Sequence, residues 1–236
     1  MEFQKLCAPS LHELFVQQLE HMILSGKLKT GEKLPTERQL AQSMQVSRAV
    51  VNGGLAELER KGFVIIKPRV GAFVADYRRT GTLETLISIM NYNGGHLRDE
   101  EIRSILEVRI GLDCFAVQLF LEHMTDEDLE ILYEKVEAIK KAASDSKAAS
   151  AAFEFQHELA FLSKNTLIPL IFHSFRIPVL TLWERFCSLY GIEALYQNNY
   201  TLWTYLRRRD LEGAVKWIHD SVGESIHGSR EIYYKS

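Results

Sequence analysis

Residues Ser47–Val64 read SRAVVNGGLAELERKGFV, and the fold turns on what this stretch is. A serine at its start supplies a helix N-cap, and Gly62 near its end supplies the residue that closes one. Between them Val51, Leu55 and Leu58 recur at helical spacing and define an inward face. That turns Arg48, Ala49 and Asn52 outward near the N-terminus. Yet Gly53 and Gly54 stand side by side in the middle of the helix, where each costs roughly 1 kcal/mol against alanine. They fit close packing against backbone, a helix that firms up only on its partner, or drift tolerated because flanking contacts hold the helix.

Working outward, Thr36 and Gln39 have capping-box spacing just after Pro35 and open a short helix, ERQLAQSM. The tripeptide QVS joins it to the Ser47 helix by a tight turn. Upstream, Leu11, Leu14, Phe15, Leu19, Met22 and Ile23 form an amphipathic helix, followed by the polar loop SGKLKTGEKLP. Downstream, FVIIKPRVGAFVAD holds two short β-rich runs around Lys67–Gly71, a hairpin. Helix, helix, turn, helix, hairpin is the plan of a winged helix-turn-helix, assigned to residues 1–76. The polar stretch ADYRRTGT lacks periodicity, so a linker is placed at 77–82. Residues 83–236 read as an all-α bundle of about six to seven helices, including stretches near 99–124, 147–163, 166–190, 193–208 and 210–230, with Thr125 capping another. The fold class is mainly α.

Composition agrees with a soluble two-domain protein. The 236 residues are 46% hydrophobic and 25% charged, ordinary for a globular chain. Cys7, Cys114 and Cys187 are odd in number and widely spaced, which points to neither a disulfide framework nor a zinc site and favours the cytoplasm. The start, MEFQKL, is not a signal peptide, and the most apolar run is too interrupted to cross a membrane. Net charge is −3, but it is unevenly placed. Residues 1–79 carry 12 Lys+Arg against 8 Asp+Glu, whereas residues 80–236 carry 16 against 23. A basic small domain on an acidic large one is the asymmetry of a chain whose first part alone meets nucleic acid.

In a helix-turn-helix the second helix enters the major groove with its N-terminal residues at base edges. Arg48 suits guanine O6/N7 and Asn52 suits adenine N6/N7, while Ala49 or Val50 would meet a thymine methyl. Arg38 reaches phosphate or a base edge. Lys67, Arg69 and Gly71 form a basic wing beside the minor groove. Each alone is an ordinary solvated residue; their joint spacing is the signal.

The segment LPTERQLAQSMQVSRAVVNGGLAELERKGFVIIKPRVGAFV resembles the GntR family of bacterial regulators. The segments RSILEVRIGLDCFAVQLFLEHMTDEDLEIL and LRRRDLEGAVKWIHDSV resemble the helical (FCD-like) effector domain of its FadR-type branch. The resemblance spans residues 8–230. It implies a homodimeric transcription factor, usually a repressor, that binds a palindromic double-stranded DNA operator and responds to a small metabolite. By position Arg38 and Arg48 match the family's DNA-contacting arginines and Gly71 its wing glycine. Asn52, Gly53 and Gly54 depart from it, standing where an arginine, an acid and a small helix former are usual.

Many members of that branch hold a divalent metal through one aspartate and three histidines. Anchoring on LAFLSKN and RRRDLEGA places Ala152, Gln156, Asn199 and Ser221 at those positions. None is a strong metal ligand, so no metal or other cofactor is expected. His157 and His219 lie near two of the sites but out of register. Arg109 sits on the apolar stripe of its helix and needs an anionic partner. Asp113, one turn on, supplies an internal ion pair; alternatively Arg109 holds a carboxylate or phosphate effector, with Gln156, Asn199 and Ser221 donating hydrogen bonds. Metal-free members that sense acyl compounds also allow an acyl effector. Phe153, Phe155, Phe161, Phe172, Trp183, Trp203 and Trp217 would be core or cavity wall.

An enzyme is disfavoured: there is no nucleophile motif, no glycine-rich phosphate loop and no metal constellation. The remaining alternative is a DNA-binding dimer whose effector pocket has lost function and which is regulated by partners or abundance.

Overall fold

Three N-caps set the frame of the N-terminal half. In the computed structural model, which describes residues 9–92 and 99–233, helix α1 (Leu11–Leu24) starts at a Ser10–Glu13 capping box. Helix α2 (Glu37–Ser43) starts at the Thr36–Gln39 box expected from spacing. Helix α3 (Arg48–Arg60) starts at Ser47, whose hydroxyl accepts from the Val50 N–H at 3.3 Å. Each side chain satisfies an N–H that has no partner within its own helix. Gly62, at φ 75°, ends α3, and the Phe63 N–H returns to the Leu58 carbonyl at 2.9 Å.

The hairpin follows. Strand β1 (Val64–Lys67) pairs antiparallel with β2 (Gly71–Val74) in the register Val64↔Val74 to Lys67↔Gly71. A carboxylate of α3, Glu59, accepts the Ile66 N–H at 2.8 Å and ties the wing to the helix. Phe15, Leu19, Ile23, Leu40, Val51, Leu55, Leu58, Phe63 and Val74 make one buried core. Burying each large side chain contributes roughly 1.5–3 kcal/mol.

The two compact units divide between Tyr92 and Asn93, ten residues beyond the boundary read from sequence. The sequence places a polar linker at 77–82 and the second domain from 83. Instead α4 (Tyr77–Thr80) makes one helical turn and α5 (Leu83–Asn91) joins the first unit. Tyr77, Ile89 and Tyr92 pack against the first core, and polar bonds add to this: the Thr85 hydroxyl donates to the Lys61 carbonyl, the Ser88 hydroxyl donates to Glu20 at 2.9 Å, and Arg60 pairs with Glu84. Period-based reading does not see such bonds.

The second unit is a bundle of seven helices among the described residues: α6 (Asp99–His123), α7 (Asp126–Lys140), α8 (Asp145–Leu162), α9 (Ile168–Ser174), α10 (Arg176–Tyr190), α11 (Ile192–Arg207) and α12 (Leu211–His227). Thr125 caps α7 in a box with Asp128, as its spacing implies. The single helix expected over 166–190 is two, broken at Phe175. Pro178 has no N–H to donate and its ring would strike the carbonyl of Ser174, so it is tolerated only in the first turn of a new helix. Helix α8 packs against α6, α7, α9, α10 and α11. Its buried face is rich in small residues, Ala148, Ala149, Ala152 and Ala160.

The paired glycines now separate. A Cβ on Gly54 would lie 2.3 Å from Phe15 Cδ1, and Phe15 is buried in the core at 2% exposure. A Cβ on exposed Gly53 would meet the half-buried His12 ring at 3.3 Å. Gly54 is thus a packing requirement, whereas Gly53 is not. Gly54→Ala should lower the unfolding transition of this unit by about 1–3 kcal/mol, the cost of overpacking. Gly53→Ala should leave it unchanged or raise it by up to ~1 kcal/mol of helix propensity. Thermal melts of the two variants check this; equal shifts would contradict the assignment.

Candidate nucleic-acid interface and ligand cavity

Helices α2 and α3 and the wing surround one open groove of about 700 Å³. Arg38, Arg48, Asn52, Lys67, Arg69 and Gly71 all line it, so six of the eight residues singled out for DNA meet in one place. Ala49 is exposed but outside the groove lining, and Val50 is half-buried and packs against the core. Arg69 sits at φ 64° at the hairpin tip and Gly71 at φ 128°. Arg69 lies in the tight turn, in which the Val70 N–H donates to the Lys67 carbonyl at 3.0 Å, and Gly71 opens β2 just after it.

Two features of the groove escape sequence reading. Lys33 bridges to Phe73 of the wing, and its ammonium and that of Lys67 lie 5.9 and 5.0 Å from the Phe73 ring centre. Lys33 therefore adds a cation to the wing; its only sequence signal was its place in a polar loop. Asn52 is tied down: with its amide nitrogen turned to donate, it reaches Glu37 at 2.8 Å and the Arg48 carbonyl at 3.3 Å. The carbonyl oxygen of Asn52 is then the atom left for a partner.

In the helical unit α6, α8, α10, α11 and α12 enclose a cavity of about 50 Å³. Arg109, Asp113, Gln156, Asn199 and Ser221, the five residues named for an effector, all line it. Arg109 donates to Asp113 at 3.2 Å and lies 4.6 Å from the Trp183 ring centre, so the internal ion pair is present. Burial pushes the Asp113 carboxyl up, and the charge and hydrogen bond of Arg109 pull it down by less. Gln156 donates to Asn199 at 3.2 Å, and Asn199 donates to the Leu195 carbonyl at 2.8 Å. Ser221 is bonded to the Ile218 carbonyl at 3.4 Å.

Trp183, Phe186 and Trp217 line the cavity, while Phe153, Phe155 and Trp203 are buried in the core and Phe161 is 66% exposed. Ile232 also lines the cavity. Arg185 secures its segment by donating to the carbonyls of Ile232 and Tyr233, both at 2.6 Å.

The donor set does not fit a divalent metal. Ala152 offers a methyl, and Gln156 and Asn199 are bonded to each other. Among the described residues no group of three or more His, Cys, Asp or Glu could hold one. His157 stacks on Phe153 and faces His173, and neither lines the cavity. Cys7 lies outside the described residues. Burial pushes the thiols of Cys114 and Cys187 up to about 11 and about 12, so neither is poised as a nucleophile.

Residues 12–74 match the bacterial regulatory proteins of the gntR family, and residues 104–223 match the FCD domain. The chain belongs to the GntR family and carries an FCD domain. The relatives that match it are described as transcriptional regulators. LutR of Bacillus subtilis (strain 168), an HTH-type transcriptional regulator, is 30% identical over 148 residues, 62% of this chain and 65% of that protein. The HTH-type transcriptional repressor NanR of Escherichia coli O1:K1 / APEC is 31% identical over 169 residues, 69% of this chain and 61% of that one. The chain spans less than two thirds of the length of these relatives. Among solved structures, that of Lar, which controls the expression of the Listeria monocytogenes agr system and mediates virulence, shares the fold. It aligns at TM-score 0.64 and 19% identity over 95% of this chain and 99% of its own. No helix among the described residues is long and apolar enough to cross a membrane.

The ion pair makes a pH prediction. A buried acid whose folded pKa is raised stabilises the fold below its ordinary range, near 3.8, and loses that contribution as pH rises through the folded value. Arg109→Met removes both influences that lower the Asp113 pKa, so the folded value rises further. The variant should lose about 3–5 kcal/mol at neutral pH, with the deficit shrinking as pH falls. Melting temperature against pH for both proteins tests this; a deficit independent of pH would contradict it.

Proposed function

We propose that this protein is a homodimeric regulator, of repressor type, that binds a palindromic operator in the bacterial cytoplasm and is modulated by a small carboxylate, phosphate or acyl metabolite. The observation that carries the DNA half is the convergence of Arg38 from α2, Arg48 from α3 and Lys67 and Arg69 from the wing on one groove. Cations on three elements suit a duplex whose backbone supplies affinity and whose base edges supply sequence. Arg48 reads guanine, with Ala49 beside it. Asn52, its amide nitrogen held by Glu37, presents an acceptor to a base that carries an exocyclic amine, adenine or cytosine. Arg38, Lys67 and Arg69 bind backbone, and Gly71 keeps the wing tip close to Lys33. The repressor assignment draws support from NanR, named a repressor.

The effector half is supported by the FCD match and by the convergence of Arg109, Asp113, Gln156, Asn199 and Ser221 on one cavity. A ligand there acts by changing operator affinity, and a coupling of about 2.7 kcal/mol corresponds to roughly a hundredfold. A dimer with a pocket that has lost function accounts less well for a buried acceptor, Gln156 Oε1, without a partner among the described residues.

Selection of bound sequences from a random DNA pool at fixed salt tests the reading. The expected product is a palindrome, with Arg48→Ala costing about 1–3 kcal/mol and relaxing one position, and Arg69→Ala lowering the salt slope by about 1. Asn52→Arg should change the preference at one symmetric pair of positions. Enrichment of no sequence, with purely salt-dependent binding, would refute sequence-specific reading by this helix.

A further inference from the structure

The cavity of the helical unit holds two opposite charges and one acceptor that receives nothing. The side chains of Arg109 and Asp113 are 13% and 5% exposed and neutralise each other. Arg109 spends its Nε on Asp113 and its face on Trp183, which leaves its terminal amino groups without a partner among the described residues. Gln156 is 5% exposed; its nitrogen serves Asn199, while its Oε1 is buried with no hydrogen-bond partner among the described residues. A buried carbonyl in that state calls for a donor.

We propose that the cavity selects a zwitterion of the α-amino acid class, with the ligand's carboxylate on the Arg109 guanidinium and its ammonium on Gln156 Oε1 and Asp113. This rests on reading the helical unit as an effector domain and narrows it. Net charge decides against a simple organic acid. The four positions that would carry a metal in this branch are neutral here, and Arg109 is already balanced by Asp113. A lone carboxylate would bring an unbalanced charge into a buried site, which is penalised. A zwitterion adds no net charge, and each of its ends makes a charge-assisted bond of roughly twice the strength of a neutral one. An uncharged alcohol satisfies Gln156 but forgoes both. As it stands the cavity, about 50 Å³, has room for one or two waters at about 30 Å³ each. A ligand larger than these waters must displace part of the wall, which includes Ile232.

Calorimetric titration of the full chain tests this with the proteinogenic L-amino acids, each set beside its deaminated acid and its α-hydroxy acid. The expected result is binding by one amino acid or a related few, about tenfold or more tighter than either counterpart. Gln156→Leu should weaken that binding by about tenfold or more, but the wild-type comparison stands without any variant. Binding of a deaminated or hydroxy acid within about threefold of the amino acid would overturn the zwitterion while leaving the effector reading intact. Silence from all three panels overturns the zwitterion. If acyl thioesters and sugar phosphates are also silent and leave operator affinity unchanged, the effector reading falls with it.

Discussion

The ring of Phe15 occupies the space where a side chain at position 54 would begin, and the DNA-binding unit depends on that approach. It lets α1 lie directly against α3 and seals Val51, Leu55 and Leu58 into the core. With that face fixed, Arg48 and Asn52 have only the outer face of α3 to occupy. The rest of the unit is then fastened to α3: the wing through Glu59 and Ile66, and α1 through Lys61, whose ammonium lies 3.0 Å from Glu20 and 2.9 Å from Glu57. Burial opposes the charge on Lys61, yet the two carboxylates prevail and its pKa is raised. Helix propensity surrendered at two glycines is thereby offset by packing that only one of them makes possible.

Local signals were legible in the sequence because their physics is local. Thr36, Ser47 and Thr125 announce helices through bonds that reach three residues along the chain. Arg109 and Asp113 were legible for the same reason, one turn apart on one helix. The reason for Gly54 was hidden because Phe15 lies on another helix. The same holds for Glu37 holding Asn52, for Lys33 joining the wing, and for Gln156 pairing with Asn199 across α8 and α11. The break at Phe175 could have been read from Pro178, but the apolar period runs through it and hid the stop.

The cavity of the helical unit is lined by polar side chains from several helices. By the resemblance, Ala152, Gln156, Asn199 and Ser221 stand where that branch places metal ligands; the last three line the cavity, and none of the four is a strong metal ligand. What remains is an amide pair and an internal ion pair, polar but without net charge. Such a site distinguishes ligands by the placement of donors and acceptors rather than by attraction to an anion. The leftover Gln156 carbonyl is where that discrimination is most exposed to test.

The most direct measurement is a double-mutant cycle between Phe15 and Gly54, read both as unfolding free energy and as operator affinity at constant salt. Phe15→Leu shortens the ring that blocks position 54, so Gly54→Ala should cost far less in that background. The predicted coupling is about 1 kcal/mol or more, with operator affinity restored in step. Strict additivity, or an operator affinity indifferent to both substitutions, would mean that the close approach of α1 and α3 does not place the reading helix.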